Sequence, residues 1–187
     1  MINMKKDEMR ALILKKMKKH NTNLALKKSV KIRQKLLDSE DYKKANSVFT
    51  YVSKTEEVDT HIIIKDSIKN GKKVYAPVLH NKQIFAGEIK SFTTMAKGDF
   101  GILQPLVVSN KNKFDIIIVP GLVFDPGGAR IGRGGGYFDK FLAHTKGNKV
   151  ALAFDFQITQ KIDTEEHDIF MDKIITEKRT ISIGTHF

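Results

Sequence analysis

Apolar side chains recur at helical spacing at the start of the chain. Met9, Leu12, Ile13 and Met17 fall on one face of a helix with the usual period. After a polar break at residues 21–23, a second set continues at Leu26, Val30, Ile32, Leu36 and Leu37. The pattern predicts two amphipathic helices separated by that break.

The apolar runs that follow have the composition of strands. Residues 47–52 (SVFTYV) are rich in β-branched and aromatic side chains, and a helix-patterned stretch over residues 60–69 runs on to a glycine. Residues 72–77 and 114–120 are short apolar runs that end in proline, which is typical of buried parallel strands at their carboxyl ends. Residues 150–154 repeat the apolar pattern and predict another strand.

The order of these elements predicts the fold class. Apolar and polar side chains alternate over residues 83–92, which predicts a strand at the periphery of the sheet, whereas residues 95–104 have the pattern of a loop. Strands interleaved with helices predict an α/β protein with a mostly parallel central sheet and helices on both faces, in three layers. Without a repeat or linker, residues 1–187 are expected to form a single domain. Ligands of open α/β sheets collect beyond the carboxyl ends of the strands, so the chemistry is expected just after Pro120.

The composition of the chain limits which metal ligands and nucleophiles it can use and indicates the compartment in which it works. The chain has no cysteine, which excludes disulfides, thiolate nucleophiles and sulfur-bound metals and leaves oxygen or imidazole as metal ligands. No apolar run approaches the length of a membrane span, and the N-terminal stretch is charged. We therefore expect a cytoplasmic protein with no membrane partner, and a monomer.

The net charge of +12 indicates an anionic ligand or partner. Many of the basic residues lie between positions 5 and 35, where they could form a nucleic-acid footprint or a solvated helix face. The solvated face is favoured, because the chain carries no RNA-binding aromatic motif and no zinc-finger spacing.

A glycine-rich segment follows the strand that ends at Pro120 and precedes a helix-like stretch over residues 140–144. Gly132 and Gly134–Gly136 leave a backbone without Cβ atoms, whose N–H groups can close on phosphate oxygens, while Arg130 and Arg133 add charged donors. A tight turn alone would not need three consecutive glycines, since they cost chain entropy. Tyr137 stands where a dinucleotide fingerprint needs glycine, and the Gly-Lys-Ser/Thr of a P-loop is absent.

This segment resembles the signature of the 5-formyltetrahydrofolate cyclo-ligase family, also called methenyltetrahydrofolate synthetase. Residues 6–10, residues 53–60 and the pair His167-Asp168 followed by residues 174–177 match the family in the same order, so the resemblance covers nearly the whole chain. It implies conversion of 5-formyltetrahydrofolate and ATP into 5,10-methenyltetrahydrofolate, ADP and phosphate, with Mg²⁺ required.

The resemblance also implies the residues of the site. The ATP-binding positions are Lys6, Arg10, Arg130, Ile131, Gly132, Arg133, Gly134, Gly135, Gly136, Tyr137 and Phe138. Asp139 and Asp168 are the implied magnesium ligands, and on their own they would be interpreted as a helix N-cap and a turn residue.

The implied substrate positions are Val52, Glu57, Arg133, Gly134, Gly135, Gly136 and Tyr137. Val52 would offer apolar contact to the flat pterin, and Glu57 would accept hydrogen bonds from its amino and ring nitrogens. Without the resemblance, Glu57 is an ordinary surface acid, and Tyr137 is as consistent with inward packing as with stacking on a ligand ring. Phe138 departs from the commoner tyrosine of the motif, so this chain has no side-chain hydroxyl at that position.

The implied chemistry is phosphoryl activation of the formyl oxygen, which makes that oxygen a leaving group for attack by the folate N10. Such a transfer needs positioning and charge neutralisation more than a side-chain nucleophile, so no general base is assigned and Arg133 is a candidate phosphoryl stabiliser. Two alternatives stay open: another ATP- or sugar-phosphate-binding α/β enzyme, and, less favoured, a basic nucleic-acid-binding protein.

Overall fold

The computed structural model describes residues 5–98 and 101–184, and five α-helices, two short 3-10 helices and twelve strands are assigned within these ranges. The helices are α1 (Lys6–Lys19), α2 (Thr22–Asp38), α3 (Glu40–Lys44), α4 (His61–Lys69) and α5 (Tyr137–Ala143). The strands are β1 (Ser47–Thr50), β2 (Lys73–His80), β3 (Gln83–Ile89), β4 (Met95–Lys97), β5 (Leu103–Pro105), β6 (Val108–Ser109), β7 (Lys113–Val119), β8 (Val123–Phe124), β9 (Arg130–Ile131), β10 (Lys146–Leu152), β11 (Lys173–Ile175) and β12 (Thr180–Ser182).

Eight of the strands form one sheet in the order β12-β11-β10-β7-β1-β2-β3-β6. The five inner strands from β11 to β2 are parallel, and β12, β3 and β6 pair antiparallel at the two sides. Two small antiparallel pairs, β4–β5 and β8–β9, lie outside this sheet. The mostly parallel α/β fold expected from the sequence is therefore confirmed.

The inner strands are apolar on both faces, as strands covered by helices must be. On one face, Val48, Ile116 and Val150 pack with residues of α2, α3 and α4. On the opposite face, Phe49 and Ile117 pack with residues of α5. The sheet is thus the middle of three layers.

Helix α1 packs at the side of these layers. Ile13 and Met17 are buried against apolar side chains of β8, of β9 and of the residues that connect them. This contact places the N-terminal half of α1 beside the glycine-rich segment that follows β9. None of the helices in the described ranges combines the length and the apolar character that a membrane crossing requires.

Two strand predictions need correction. Residues 95–104, expected to form a loop, contain β4 and most of β5, which pair as a hairpin. Pro77, expected at the end of a strand, lies within β2 opposite Ala86 of β3. Pairing between β1 and β2 ends at Tyr75, so a proline two residues further costs no hydrogen bond on that side.

Helix α4 begins within one residue of the predicted position, whereas α5 begins three residues before it and α3 was not predicted. The buried face of α2 is only partly the predicted one, since Ile32 and Leu36 are buried as expected. Leu26 and Val30 are exposed, and the buried stripe is Ala25, Ser29, Ile32 and Leu36. The reason is the contact with the loop before α4, where the Ser29 hydroxyl accepts the Asp59 N–H at 3.1 Å. A pattern built on large apolar residues could not identify this small-residue contact. Leu12, which was predicted on the apolar face of α1, is also exposed.

Candidate active site

A cavity of about 640 Å³ opens beyond the carboxyl ends of β1 and β7. Residues that follow these strands line it, together with α1, the β2–β3 hairpin, the glycine-rich loop and the start of α5. Pro120 and Gly121 are part of its wall, so the cavity lies where the sequence predicted the chemistry. Every predicted site residue, from Lys6 to Asp168, lines this one cavity.

The glycine-rich loop needs its glycines for two different reasons. Gly134 and Gly136 have φ of +103° and +64°, in the left-handed region that other residues rarely adopt. At Gly135 a Cβ atom would lie 2.7 Å from the ring of Tyr137, so the glycine allows that ring to lie against the loop. The loop is therefore held in a shape that presents backbone to the cavity.

Arg130 anchors this loop from beneath. Its side chain is only 3% exposed, its Nη1 donates to the Pro120 carbonyl at 3.2 Å, and its Nη2 forms an ion pair with Asp139. The Nε of Arg130 is buried without a protein hydrogen-bond partner. Arg130 thus joins the end of β7 to the first turn of α5.

Helix α1 brings two further cations to the cavity. Lys6 Nζ lies 2.8 Å from Asp168 Oδ2 and 3.2 Å from Glu165 Oε1. Arg10 Nε donates to the Gly132 carbonyl at 3.1 Å. The hydrogen bond to Asp168 is the largest of the interactions that raise the pKa of Lys6, so Lys6 carries a full positive charge at neutral pH.

The two predicted magnesium ligands both line the cavity, each beside a cation. Asp139 is the third residue of α5, whose N-cap is Gly136, so the alternative of a capping aspartate before a helix near Lys140 is wrong. Asp168 does accept the Glu165 N–H at 2.9 Å as a turn residue would, and it binds Lys6 as well. Partial burial acts to raise the pKa of Asp168, but these donors outweigh burial and hold the pKa below its usual value.

The loop after β1 presents Glu57 to the cavity. Glu57 Oε1 lies 2.9 Å from Arg133 Nη2, and Glu57 Oε2 accepts the Lys54 N–H at 2.9 Å. Buried hydrogen bonds hold the same loop, since the Tyr51 hydroxyl donates to the Val58 carbonyl at 3.1 Å and the Thr60 hydroxyl donates to the Tyr51 carbonyl at 2.8 Å. Glu57 is therefore placed by its loop and is not a freely moving surface acid.

An apolar wall completes the cavity on the side of β2 and β3. Val52 is buried and packs with Ile102 and Leu103 of the β4–β5 hairpin, which also line the cavity. Further wall residues are Pro77, Leu79 and Ile84. The sequence predicted only Val52 of this wall, because the hairpin residues reach it through tertiary contacts. Positions 77–79 are a continuous apolar run and Ile84 stands beside Phe85, so no alternation of apolar and polar residues distinguished Pro77, Leu79 and Ile84 in the sequence.

The two aromatic residues at the end of the loop differ in role. Tyr137 and Phe138 both line the cavity, but Phe138 also packs against core residues on both faces of the sheet. Its ring lies 6.5 Å from that of Phe49 and 6.4 Å from that of Phe141, between ring centroids. Such apolar packing suits a phenylalanine at this position.

Three charged neighbours of the site, Lys54, Glu56 and Glu165, were not predicted from the sequence.

Several known proteins are similar to this chain over most of its length. The sequence profile of the 5-formyltetrahydrofolate cyclo-ligase family matches residues 2–177. A mouse protein named 5-formyltetrahydrofolate cyclo-ligase is 28% identical over 193 residues, which covers 94% of this chain and 95% of that protein. The protein of the same name from Escherichia coli K12 is 31% identical over 147 residues, which covers 72% of this chain and 80% of that protein.

Two solved structures are also similar. The NMR structure of Aquifex aeolicus 5,10-methenyltetrahydrofolate synthetase superimposes with a TM-score of 0.89 at 30% identity, covering 98% of this chain and 95% of that one. The 5,10-methenyltetrahydrofolate synthetase from Mycoplasma pneumoniae superimposes with a TM-score of 0.76 at 21% identity, over 93% of this chain and 99% of that one. This second similarity concerns the fold alone.

Proposed function

This chain belongs to the 5-formyltetrahydrofolate cyclo-ligase family, and we propose from that premise how its cavity carries out the conversion of 5-formyltetrahydrofolate to 5,10-methenyltetrahydrofolate. One observation carries the proposal. Four segments far apart in the sequence, around Lys6, Glu57, Gly134 and Asp168, meet in one cavity. A shared cavity supports a reaction between two bound substrates better than it supports four separate structural roles.

The cationic side of the cavity is the proposed ATP site. Lys6 and Arg10 lie four residues apart on one face of α1, and Arg10 is bound to the glycine-rich loop through the Gly132 carbonyl. Arg133 reaches the same cavity from that loop. Guanidinium groups and loop N–H groups are suitable partners for the oxygens of a triphosphate.

The apolar side is the proposed folate site. Val52 and the hairpin residues Ile102 and Leu103 give it a flat apolar surface, and Glu57 gives a carboxylate at its rim. This combination suits a pterin, which has two apolar faces and an edge of N–H donors. The formyl group would then face the glycine-rich loop, where the phosphates bind.

The proposed reaction has two bond exchanges. The formyl oxygen attacks the γ-phosphorus, the bond to the bridging oxygen breaks, and ADP leaves. The N10 atom then attacks the formyl carbon, the carbon–oxygen bond breaks, phosphate leaves with the former formyl oxygen, and N10 loses its proton. The part of the protein in this scheme is to hold the two substrates in line and to stabilise phosphoryl charge, for which Arg133 is the proposed residue.

The carboxylates of the cavity fit a magnesium ion. Magnesium prefers oxygen ligands and takes only one or two carboxylates when it also binds phosphates. Asp139 and Asp168 would hold it, and bound magnesium would neutralise charge on the transferred phosphoryl group. Within residues 5–98 and 101–184, no group of three or more histidine or acidic side chains is arranged to hold a metal ion.

The test is to follow the absorbance of the methenyl product with 5-formyltetrahydrofolate, ATP and magnesium present. We expect turnover with all three and none when ATP is omitted or the metal is chelated. Product formation at an undiminished rate without ATP or with excess chelator would disprove the proposed mechanism.

A second expected result is that Lys6→Ala and Arg10→Ala raise the KM for ATP more than the KM for the folate.

A further inference from the structure

Arg133 joins the two loops that the proposed function assigns to different substrates. Its Nη2 lies 2.9 Å from Glu57 Oε1 and 3.3 Å from Glu56 Oε1. The other oxygen of Glu57 accepts the Lys54 N–H at 2.9 Å. Both carboxylate oxygens of Glu57 therefore already have protein donors, although the proposed role of this carboxylate is to accept N–H groups of the pterin.

Both proposed substrates compete with this ion pair. A triphosphate offers several charged oxygens in the geometry that a guanidinium binds in a bidentate manner, so it attracts Arg133 away from the carboxylates. A pterin whose amino and ring N–H groups bind the Glu57 carboxylate side by side would use both of its oxygens, so it competes with Arg133 for Oε1. Each substrate thus removes an obstacle to the binding of the other.

We propose that Arg133 couples the two sites: ATP binding withdraws it from Glu57, which frees the carboxylate and makes folate binding tighter. The proposal rests on the proposed function. By thermodynamic reciprocity, the folate must strengthen ATP binding by the same factor. Couplings between sites commonly amount to factors of about 5 to 150, and we expect the lower part of that range for a single ion pair.

The surroundings of Arg133 allow this exchange of partners. The Arg133 side chain is 43% exposed, so it can leave the carboxylates without becoming a buried unpaired charge. Arg130 differs in this respect, because its side chain is 3% exposed and it holds the loop to the end of β7. Of the two arginines in the loop, only Arg133 is free to act as the moving residue.

Lys6 provides the matched control. Like Arg133, it is a cation of the proposed ATP site that pairs with a carboxylate of the cavity, at 2.8 Å from Asp168. Asp168 has no proposed contact with the folate, so breaking that pair frees no folate acceptor. Replacing Lys6 should weaken ATP binding and leave the coupling intact.

The experiment measures the Kd of 5-formyltetrahydrofolate by calorimetry, with and without a saturating imido analogue of ATP plus magnesium. The analogue is not hydrolysed at the β,γ position, so no turnover interferes. We expect the Kd of the wild-type protein to fall at least about 5-fold when the analogue is present. In Arg133→Met the ratio should be close to one, whereas Lys6→Met and Glu56→Gln should keep the wild-type ratio.

The outcomes separate the two proposals. A wild-type ratio near one, with clear binding of both ligands, would overturn the coupling and leave the proposed function standing. An unchanged ratio in Arg133→Met, with thermal melts that show a folded protein, would overturn it as well. Absence of any folate binding under either condition would remove the proposed function and this inference together.

Discussion

Asp139 and Asp168 have the same proposed ligand but are held by very different partners. The partner of Asp139 is Arg130, whose side chain is almost completely buried, whereas the partner of Asp168 is Lys6, whose side chain is 26% exposed. A buried cation that loses its carboxylate keeps a desolvated charge, while a more exposed one can be solvated. Asp139 therefore combines its proposed metal role with a structural one.

We accordingly expect different stability effects from two otherwise equal substitutions. Asp139→Asn should lower the free energy of unfolding by about 1–3 kcal/mol, because the amide keeps one acceptor for Arg130 and loses the charge. Asp168→Asn should cost less than about 1 kcal/mol. Urea unfolding of both variants measures the difference, with the exposed Asp38 of α2 as the control substitution.

The same two substitutions test the metal proposal through the dependence of turnover on magnesium concentration. If both carboxylates hold magnesium, Asp139→Asn and Asp168→Asn should need more magnesium for half-maximal turnover, since each has lost a charged ligand. Asp38→Asn should reproduce the wild-type curve. Magnesium curves of both site variants that superimpose on the wild-type curve would remove these residues from the proposed metal site.

At the scale of elements, the β4–β5 hairpin packs closely against a glycine of β3. A Cβ atom at Gly87 of β3 would lie 2.6 Å from Pro105 Cβ of the hairpin and 2.7 Å from Val78 Cγ2 of β2. Gln104 adds a side-chain contact, since its Oε1 accepts the Leu79 N–H at 3.2 Å. The apolar wall of the proposed folate site thus needs a glycine on the neighbouring strand.

Gly87→Ala should therefore displace the hairpin and disturb one substrate more than the other. We expect a loss of about 1–3 kcal/mol in unfolding free energy from overpacking, and a raised KM for 5-formyltetrahydrofolate with little change in the KM for ATP. Gly184→Ala is the control, because a Cβ atom at Gly184 would meet nothing within 4 Å. An equal rise in both KM values would show that the hairpin is not specific to the folate side.

At the scale of the whole molecule, the sequence predicted what depends on local pattern and composition. Periodicity and residue type predicted the parallel strands β1, β2, β7 and β10, the helices α1, α2, α4 and α5 and the position of the glycine-rich loop, but not β11 or α3. The sequence did not predict the β4–β5 hairpin or the complete buried stripe of α2, because each is determined by contacts with residues distant in sequence. The glycines and arginines of the loop were predicted from the residue pattern, and the remaining site residues came from the family resemblance. The pairing of Arg130, Lys6 and Arg133 with cavity carboxylates came only from the structure.

The positive charge of the whole chain leads us to expect that its stability falls in acid. The chain carries a net charge of +12 at neutral pH, and its positive charge grows as carboxylates are protonated. Interactions in the fold hold the pKa values of several aspartates below their usual value: Asp41, Asp59, Asp115, Asp155 and Asp168. Since the unfolded chain binds protons to these groups at a higher pH than the folded one, their contribution to stability is complete above the unfolded pKa and is lost as the pH falls through the folded pKa.

Asp155 is the most informative of these residues, because it joins the segment after β10 to the turn before β12. Burial acts to raise its pKa, but hydrogen bonds from Arg179 at 2.8 Å and from the Thr176 hydroxyl at 3.1 Å help to bring it below the usual value. We expect the unfolding free energy of the wild type to fall between about pH 5 and pH 3, and the fall to be shallower in Asp155→Asn. Urea unfolding at several pH values measures both slopes, with Asp38→Asn as the control of equal charge. Parallel slopes for Asp155→Asn and the wild type would mean that the Asp155 carboxylate does not contribute to acid unfolding.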